Sequence, residues 1–140
     1  LPKLDNIHYL GRKEYNELPA YLAGWDVAIM PFALNESTRY ISPTKTPEYL
    51  AGGKPVISSP IVDVIKQYCT VVHFGNTPDD FIQVAQNDIK KSAAWLAEVD
   101  SILSENSWDM TWARMEGLII KAIDSVKNRS KIKKDLQEYV

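Results

Sequence analysis

The run Asp26-Val27-Ala28-Ile29-Met30-Pro31-Phe32 limits the fold more than any other stretch. It is short, apolar at consecutive positions and bounded by Asp and Pro. A strand with one wet face alternates apolar and polar residues. A strand that does not alternate is buried on both faces, as in a parallel sheet covered by helices. Two runs of the same kind follow, Lys54-Pro55-Val56-Ile57-Ser58 and Thr70-Val71-Val72-His73-Phe74-Gly75. An earlier one, Asn6-Ile7-His8-Tyr9-Leu10-Gly11, is rich in strand formers and closed by Gly.

Helical spacings separate these runs. Tyr15, Leu18, Tyr21 and Leu22 recur with the helical period before Gly24, and Pro19 implies a late start or a kink. A second helix opens at Ser42 or at Thr46, both competent N-caps followed by Pro, and stops at Gly52-Gly53. Ile61, Val64, Ile65 and Tyr68 share a third helical face. Alternating strands and helices with short connections predict an α/β fold: a Rossmann-like parallel sheet of about four strands with helices on both faces.

Beyond Gly75 the pattern becomes helical. Thr77-Pro78-Asp79-Asp80 is a cap, a Pro and two acids at the positive end of a helix dipole. Helices are predicted over 80–87, 92–103 and 108 to about 127, with the charged tail 128–140 as a fraying end. Trp108, Met110, Trp112, Met115, Ile119 and Ile123 fall at core spacing and are expected to pack. The expected organisation is a partial Rossmann-like domain over 1–106 and a C-terminal helical extension over 107–140 packing on it.

With 140 residues the chain suffices for one domain with a core. A formal net charge of −2 argues against nucleic acid as a partner. One cysteine, Cys69, excludes an intrachain disulfide, fits a reducing, cytoplasmic compartment, and is expected to fill space. No stretch is long and apolar enough to suggest a transmembrane helix, and no signal-peptide pattern is visible. The opening Leu1-Pro2-Lys3, without Met, reads as a cut inside a longer protein. No Gly-x-Gly-x-x-Gly, Walker loop or metal-ligand cluster occurs, so neither a cofactor nor a metal is expected. His8 and His73 lie in apolar runs and read as sheet histidines.

Chemistry is expected where the Asp26–Phe32 strand runs into the second helix, because ligands of open α/β sheets bind beyond the carboxyl ends of the strands. A helix start offers free amides and a partial positive charge to a phosphate. Lys45 adds a full charge in the first turn, and Glu48, three residues on, shares its face. A cation beside amides suits a diphosphate. A carboxylate one turn deeper can accept both hydroxyls of a ribose. The plain alternative is a solvated Lys–Glu pair worth a few tenths of a kcal/mol.

The segment Ser42-Pro43-Thr44-Lys45-x-x-Glu48-Tyr49-Leu50-Ala51-x-Gly53-Lys54-Pro55-Val56-Ile57 resembles the donor-binding segment of nucleotide-sugar-dependent glycosyltransferases of GT-B fold, of the retaining, Glu-x7-Glu type. The stretches 7–12, 21–32 and 106–109 are similar to the same family, so the resemblance covers residues 6 to 120. It implies that residues 1–106 bind a donor nucleotide-diphosphate sugar, with Glu48 on the ribose and the Ser42, Thr44 and Lys45 turn facing the diphosphate. It implies transfer to a glycan or lipid-linked acceptor in polysaccharide biosynthesis, without a metal, in the cytoplasm at the inner face of the membrane. The family's first glutamate falls at Tyr40, a departure; Arg39 and Glu36 stand on the same loop to contact the sugar. The acceptor-binding N-terminal domain is absent from this chain, so this chain alone is expected to transfer no sugar. The helix from Trp108 is similar to the one that crosses back to that domain; without it, a second copy of the chain is a candidate cover. The competing reading is a non-catalytic nucleotide- or phosphate-binding module, or an interaction domain.

Overall fold

The computed structural model describes residues 2–87, 89 and 91–137. It forms two compact units, Leu1–Ile102 and Leu103–Val140. In the first, a 3-10 turn over Tyr15–Glu17 leads into α1 (Leu18–Ala23), followed by β1 (Ala28–Met30), α2 (Lys45–Ala51), β2 (Val56–Ser58), α3 (Val62–Tyr68), β3 (Val72–Phe74) and α4 (Pro78–Gln86). Then come α5 (Ala93–Ser104), which runs past the end of this unit, and α6 (Trp108–Gln137) in the second.

The three strands form one parallel sheet in the order β1-β2-β3, with Ala28, Val56 and Val72 in one row and Ile29, Ile57 and His73 in the next. Both crossovers step the same way, so the usual right-handed connection places α2 and α3 on one face. The core is the meeting of that face with the sheet: Met30, Leu50, Val56, Ile61, Val64 and Val72 are all buried. Thr46 Oγ1 donates to Met30 Sδ at 3.8 Å, tying α2 to β1. The unalternating runs are thus a parallel sheet flanked by helices, but the burial on both faces expected of the Asp26–Phe32 run is not met: Ile29 of β1 is exposed on the edge strand, and only the middle strand β2 is buried at every position.

α2 ends where its sequence requires. Gly53 has φ +65°, the left-handed conformation that glycine adopts without cost. Gly53 N–H donates to Leu50 O at 2.8 Å and Lys54 N–H to Tyr49 O at 3.0 Å, which closes the helix and aims the chain into β2. α4 starts as sharply. Asp80 N–H donates to Thr77 Oγ1 at 3.2 Å, and Asn76 N–H and Thr77 N–H donate to Asp80 Oδ2 at 2.8 and 2.9 Å. Those two backbone bonds hold the Asp80 carboxyl below its usual range.

Thr77→Ala should cost about 1 kcal/mol through loss of the cap. Asp80→Asn should also destabilise near neutral pH. The folded carboxyl titrates lower than the unfolded one, so its contribution is complete above the unfolded pKa and disappears as pH falls through the folded pKa. Urea midpoints of wild type and Asp80→Asn should therefore differ at pH 7 and converge in acid. A gap that persists unchanged below pH 2 would contradict this.

Four expectations are corrected. Residues 6–11 do not form a strand: the segment is exposed, Ile7 N–H bonds locally to Leu4 O, and Tyr9 OH bonds Pro2 O. A strand needs a neighbour, and β1 takes its hydrogen bonds from β2 alone. His8 is consequently in an exposed coil and not in the sheet, whereas His73 lies in β3 as expected, with its side chain exposed. Cys69 is exposed and fills no space in the core. Trp108, Met110, Trp112, Met115, Ile119 and Ile123 are exposed along α6 instead of packed. α6 itself continues to Gln137, past the predicted end, while the last residues of the predicted tail lie outside the described residues.

Candidate functional site

β1 ends at Met30, and the chain then loops over 31–44 before α2 begins at Lys45. This places the loop and the start of α2 at the carboxyl end of the sheet. Ser59 Oγ donates to Phe32 O at 2.7 Å and Ser59 N–H to Met30 O at 3.1 Å, clamping the exits of β1 and β2 together. The loop is bonded within itself. Asn35 and Thr38 exchange side-chain and backbone bonds, and the Thr38 hydroxyl also donates to Ala33 O.

Lys45 and Glu48 meet as the sequence spacing predicts, with Nζ 3.0 Å from Oε2. Both side chains are half exposed. The hydrogen bond and charge of Glu48 raise the Lys45 pKa, so the ammonium is retained throughout the neutral range. Glu48 Oε1 has no hydrogen-bond partner among the described residues. The pair stands at the lip of a groove of about 340 Å³ between α1 and α2. Its walls are aromatic and aliphatic: Tyr15, Leu18, Pro19, Tyr21, Leu22, Trp25 and Tyr49. Trp25 and Tyr49 pack edge to face, ring centres 5.8 Å apart, and Lys13 Nζ lies 5.0 Å from the Tyr21 ring centre.

Lys54 ties together the two elements that wall the groove. This lysine is 7% exposed and donates to Ala23 O at 2.8 Å and Trp25 O at 2.7 Å. A cation on the last carbonyls of a helix is favourably placed. It fixes the end of α1 to the segment that leaves α2. Close packing does the rest: a Cβ on Gly52 would lie 2.4 Å from Leu22 Cδ2.

The start of α2 is a poorer amide cradle than its outline suggests. Thr44 is the N-cap residue, yet its side chain makes no capping bond. Thr46 N–H is engaged by Pro43 O at 3.3 Å, and Pro47 carries no N–H. Two of the first three helical positions therefore offer no free donor, and attraction for an anion there rests mainly on the Lys45 ammonium.

The remaining predicted residues lie elsewhere. Glu36 and Arg39 line a second, open cavity of about 490 Å³ with Leu34, Asn35, Thr38, Pro60, Ile61 and Val62. Arg39 Nη1 is 3.9 Å from Glu36 Oε1, and its guanidinium lies 5.4 Å from the ring centre of the exposed Tyr40. Ser42 is exposed and lines neither cavity. The structure thus joins Lys45 with Glu48 and, separately, Arg39 with Glu36. It also adds Tyr15, Tyr21, Trp25, Tyr49 and Lys54, which spacing did not single out. Their sequence signal was faint: Tyr49 adjoins Glu48, and Tyr15, Leu18, Tyr21 and Leu22 recur with a helical period. Among the described residues no three His, Cys, Asp or Glu side chains group closely enough to hold a metal ion, and no helix is long and apolar enough to cross a membrane.

No family model matches the chain, and no solved structure matches it. Among curated proteins it is similar to TuaH of Bacillus subtilis (strain 168), a protein named for a role as a glycosyltransferase in teichuronic acid biosynthesis. The two are 30% identical over 89 residues, which is 61% of this chain. The matched stretch spans 22% of the length of that relative. This partial similarity relates the chain to a glycosyltransferase.

Proposed function

We propose that this chain is the donor-binding portion of a nucleotide-sugar-dependent glycosyltransferase of GT-B type. The observation that carries the reading is the Lys45–Glu48 pair at the lip of an aromatic groove, at the carboxyl end of a parallel sheet. A nucleoside diphosphate matches that chemistry in three parts. The planar base lies against the aromatic wall, the ribose hydroxyls donate to Glu48, and the diphosphate takes the Lys45 ammonium. The sugar then extends toward the cavity that holds Arg39 and Glu36.

As the bond from sugar to diphosphate breaks, negative charge grows on the departing phosphate and the sugar becomes oxocarbenium-like. A fixed cation beside the leaving group lowers that barrier. With two first-turn positions unable to donate, Lys45 carries more of this stabilisation than amides would in a helix without Pro47. The acceptor is a growing glycan or a lipid-linked one, in keeping with the name of the relative. The acceptor side belongs to protein outside this chain, so this chain alone binds nucleotide weakly and transfers no sugar.

Calorimetric titration with uridine and guanosine diphosphates tests the assignment. Glu48→Ala should weaken binding about tenfold, equivalent to ~1.4 kcal/mol. Lys45→Ala should weaken the diphosphate much more than the free nucleoside and flatten the salt dependence. Unchanged affinity in Glu48→Ala would return the pair to a solvated surface contact. Turnover of a nucleotide sugar by this chain alone would refute the placing of the acceptor side elsewhere.

A further inference from the structure

Of the four aromatic rings that line the groove between α1 and α2, three are anchored. Trp25 and Tyr49 hold each other edge to face, and Tyr21 carries the Lys13 ammonium. The fourth, Tyr15, lines the same groove from the 3-10 turn that leads into α1. Among the described residues its side chain makes no hydrogen bond, ion pair or ring contact, and it is 86% exposed. The turn beneath it is fixed: Glu17 N–H donates to Glu14 O at 3.0 Å, and Glu14 N–H to Glu17 Oε2 at 2.9 Å. The backbone is held while the ring is free to turn about its side-chain bonds.

Tyr15 and Tyr49 stand on opposite walls, one before α1 and the other on α2. Glu48 is the main cause of the raised Lys45 pKa, but both tyrosines add to it, so both lie within electrostatic reach of that ammonium. All of these residues belong to the first compact unit.

We propose, resting on the donor-binding reading of this groove, that Tyr15 clamps the nucleobase: its ring covers one face of the base while the other face meets the Trp25–Tyr49 pair. A flat heterocycle between two aromatic walls is held by its faces. Every base has such a face, so this contact adds affinity without telling one base from another. A tyrosine ring gives a large rigid surface at low cost in side-chain entropy. Tyr15 has the most bare ring area of the four and so the most to gain from being covered. Because the ring packs on nothing in the core, its removal acts on the ligand and not on the fold.

Ligand-observed NMR titration of the 140-residue chain with uridine diphosphate, guanosine diphosphate and inorganic pyrophosphate tests the clamp. Tyr15→Ala should weaken both nucleotides at least about fivefold and by the same factor, and leave pyrophosphate unchanged. Its circular dichroism and urea midpoint should match wild type. Tyr15→Phe, which keeps the ring and loses the hydroxyl, should bind both nucleotides as wild type does. Unchanged nucleotide affinity in Tyr15→Ala, alongside a loss in Glu48→Ala, overturns the clamp and leaves the donor-binding reading standing. A loss in neither variant, or no nucleotide binding by wild type, removes both. Tyr15→Phe as weak as Tyr15→Ala overturns the clamp, since the contact is then the hydroxyl's. So does a loss confined to one base, a matching loss for pyrophosphate, or a lowered urea midpoint in Tyr15→Ala.

Discussion

Ile57→Ala is expected to cost 2–5 kcal/mol, on the order of half the stability of a domain of this size. Ile57 is the middle residue of the middle strand and has no exposed surface. Truncation removes three carbons from a site closed on every side, and the flanking strands cannot collapse into the space without losing their register. Its neighbour in the same row, Ile29, is 59% exposed on the open strand β1. Ile29→Ala removes the same atoms into water and should cost under about 1 kcal/mol. Urea unfolding of both variants reads the contrast directly, and near-equal midpoints would mean that Ile57 is not enclosed as described. Ile57→Val, which deletes one methyl, belongs between them at about 1 kcal/mol.

Lys54→Met carries the second large expectation, about 2–3 kcal/mol. Methionine keeps most of the apolar stem but donates nothing, so the carbonyls of Ala23 and Trp25 lose their partner. The consequence reaches beyond stability. Those two carbonyls mark the end of α1, and α1 is one wall of the groove at Lys45 and Glu48. Affinity for nucleoside diphosphate should therefore fall in Lys54→Met and stay level in Thr77→Ala, which is destabilised at α4, away from the groove. Equal affinities in the two variants at a temperature where both are folded would remove Lys54 from any part in shaping the site.

The strands at 28–30, 56–58 and 72–74 could be read from the chain because each is a short apolar run between turn signals, although only β2 is buried at every position and Ile29 of β1 and His73 of β3 are exposed. The segment 6–11 has similar residues and no strand. Pairing is decided by what lies alongside, and composition carries no record of a neighbour. The stripe on α6 shows the same limit from the other side: the spacing of Trp108, Trp112, Met115 and Ile119 is identical whether the face is covered or bare. At the candidate site, the Lys45–Glu48 contact was legible because three residues of helix fix it locally. Pro47 was equally visible, and its cost in amide donors follows from its chemistry alone. The aromatic groove was not legible, since it depends on how α1 lies against α2, and that is set by Lys54 reaching carbonyls about thirty residues away.

The loop between β1 and α2 satisfies its own polar groups through Asn35, Thr38 and Ala33, and it leaves the sheet at a clamp made by Ser59. Such a loop is a cartridge. Its tip, with Glu36, Arg39 and Tyr40, can be exchanged for another sequence while the clamp and the strands keep their bonds. Drift at these three positions therefore changes what the neighbouring cavity accepts without passing through an unstable intermediate. Diversity among chains of this kind should accumulate at that tip first.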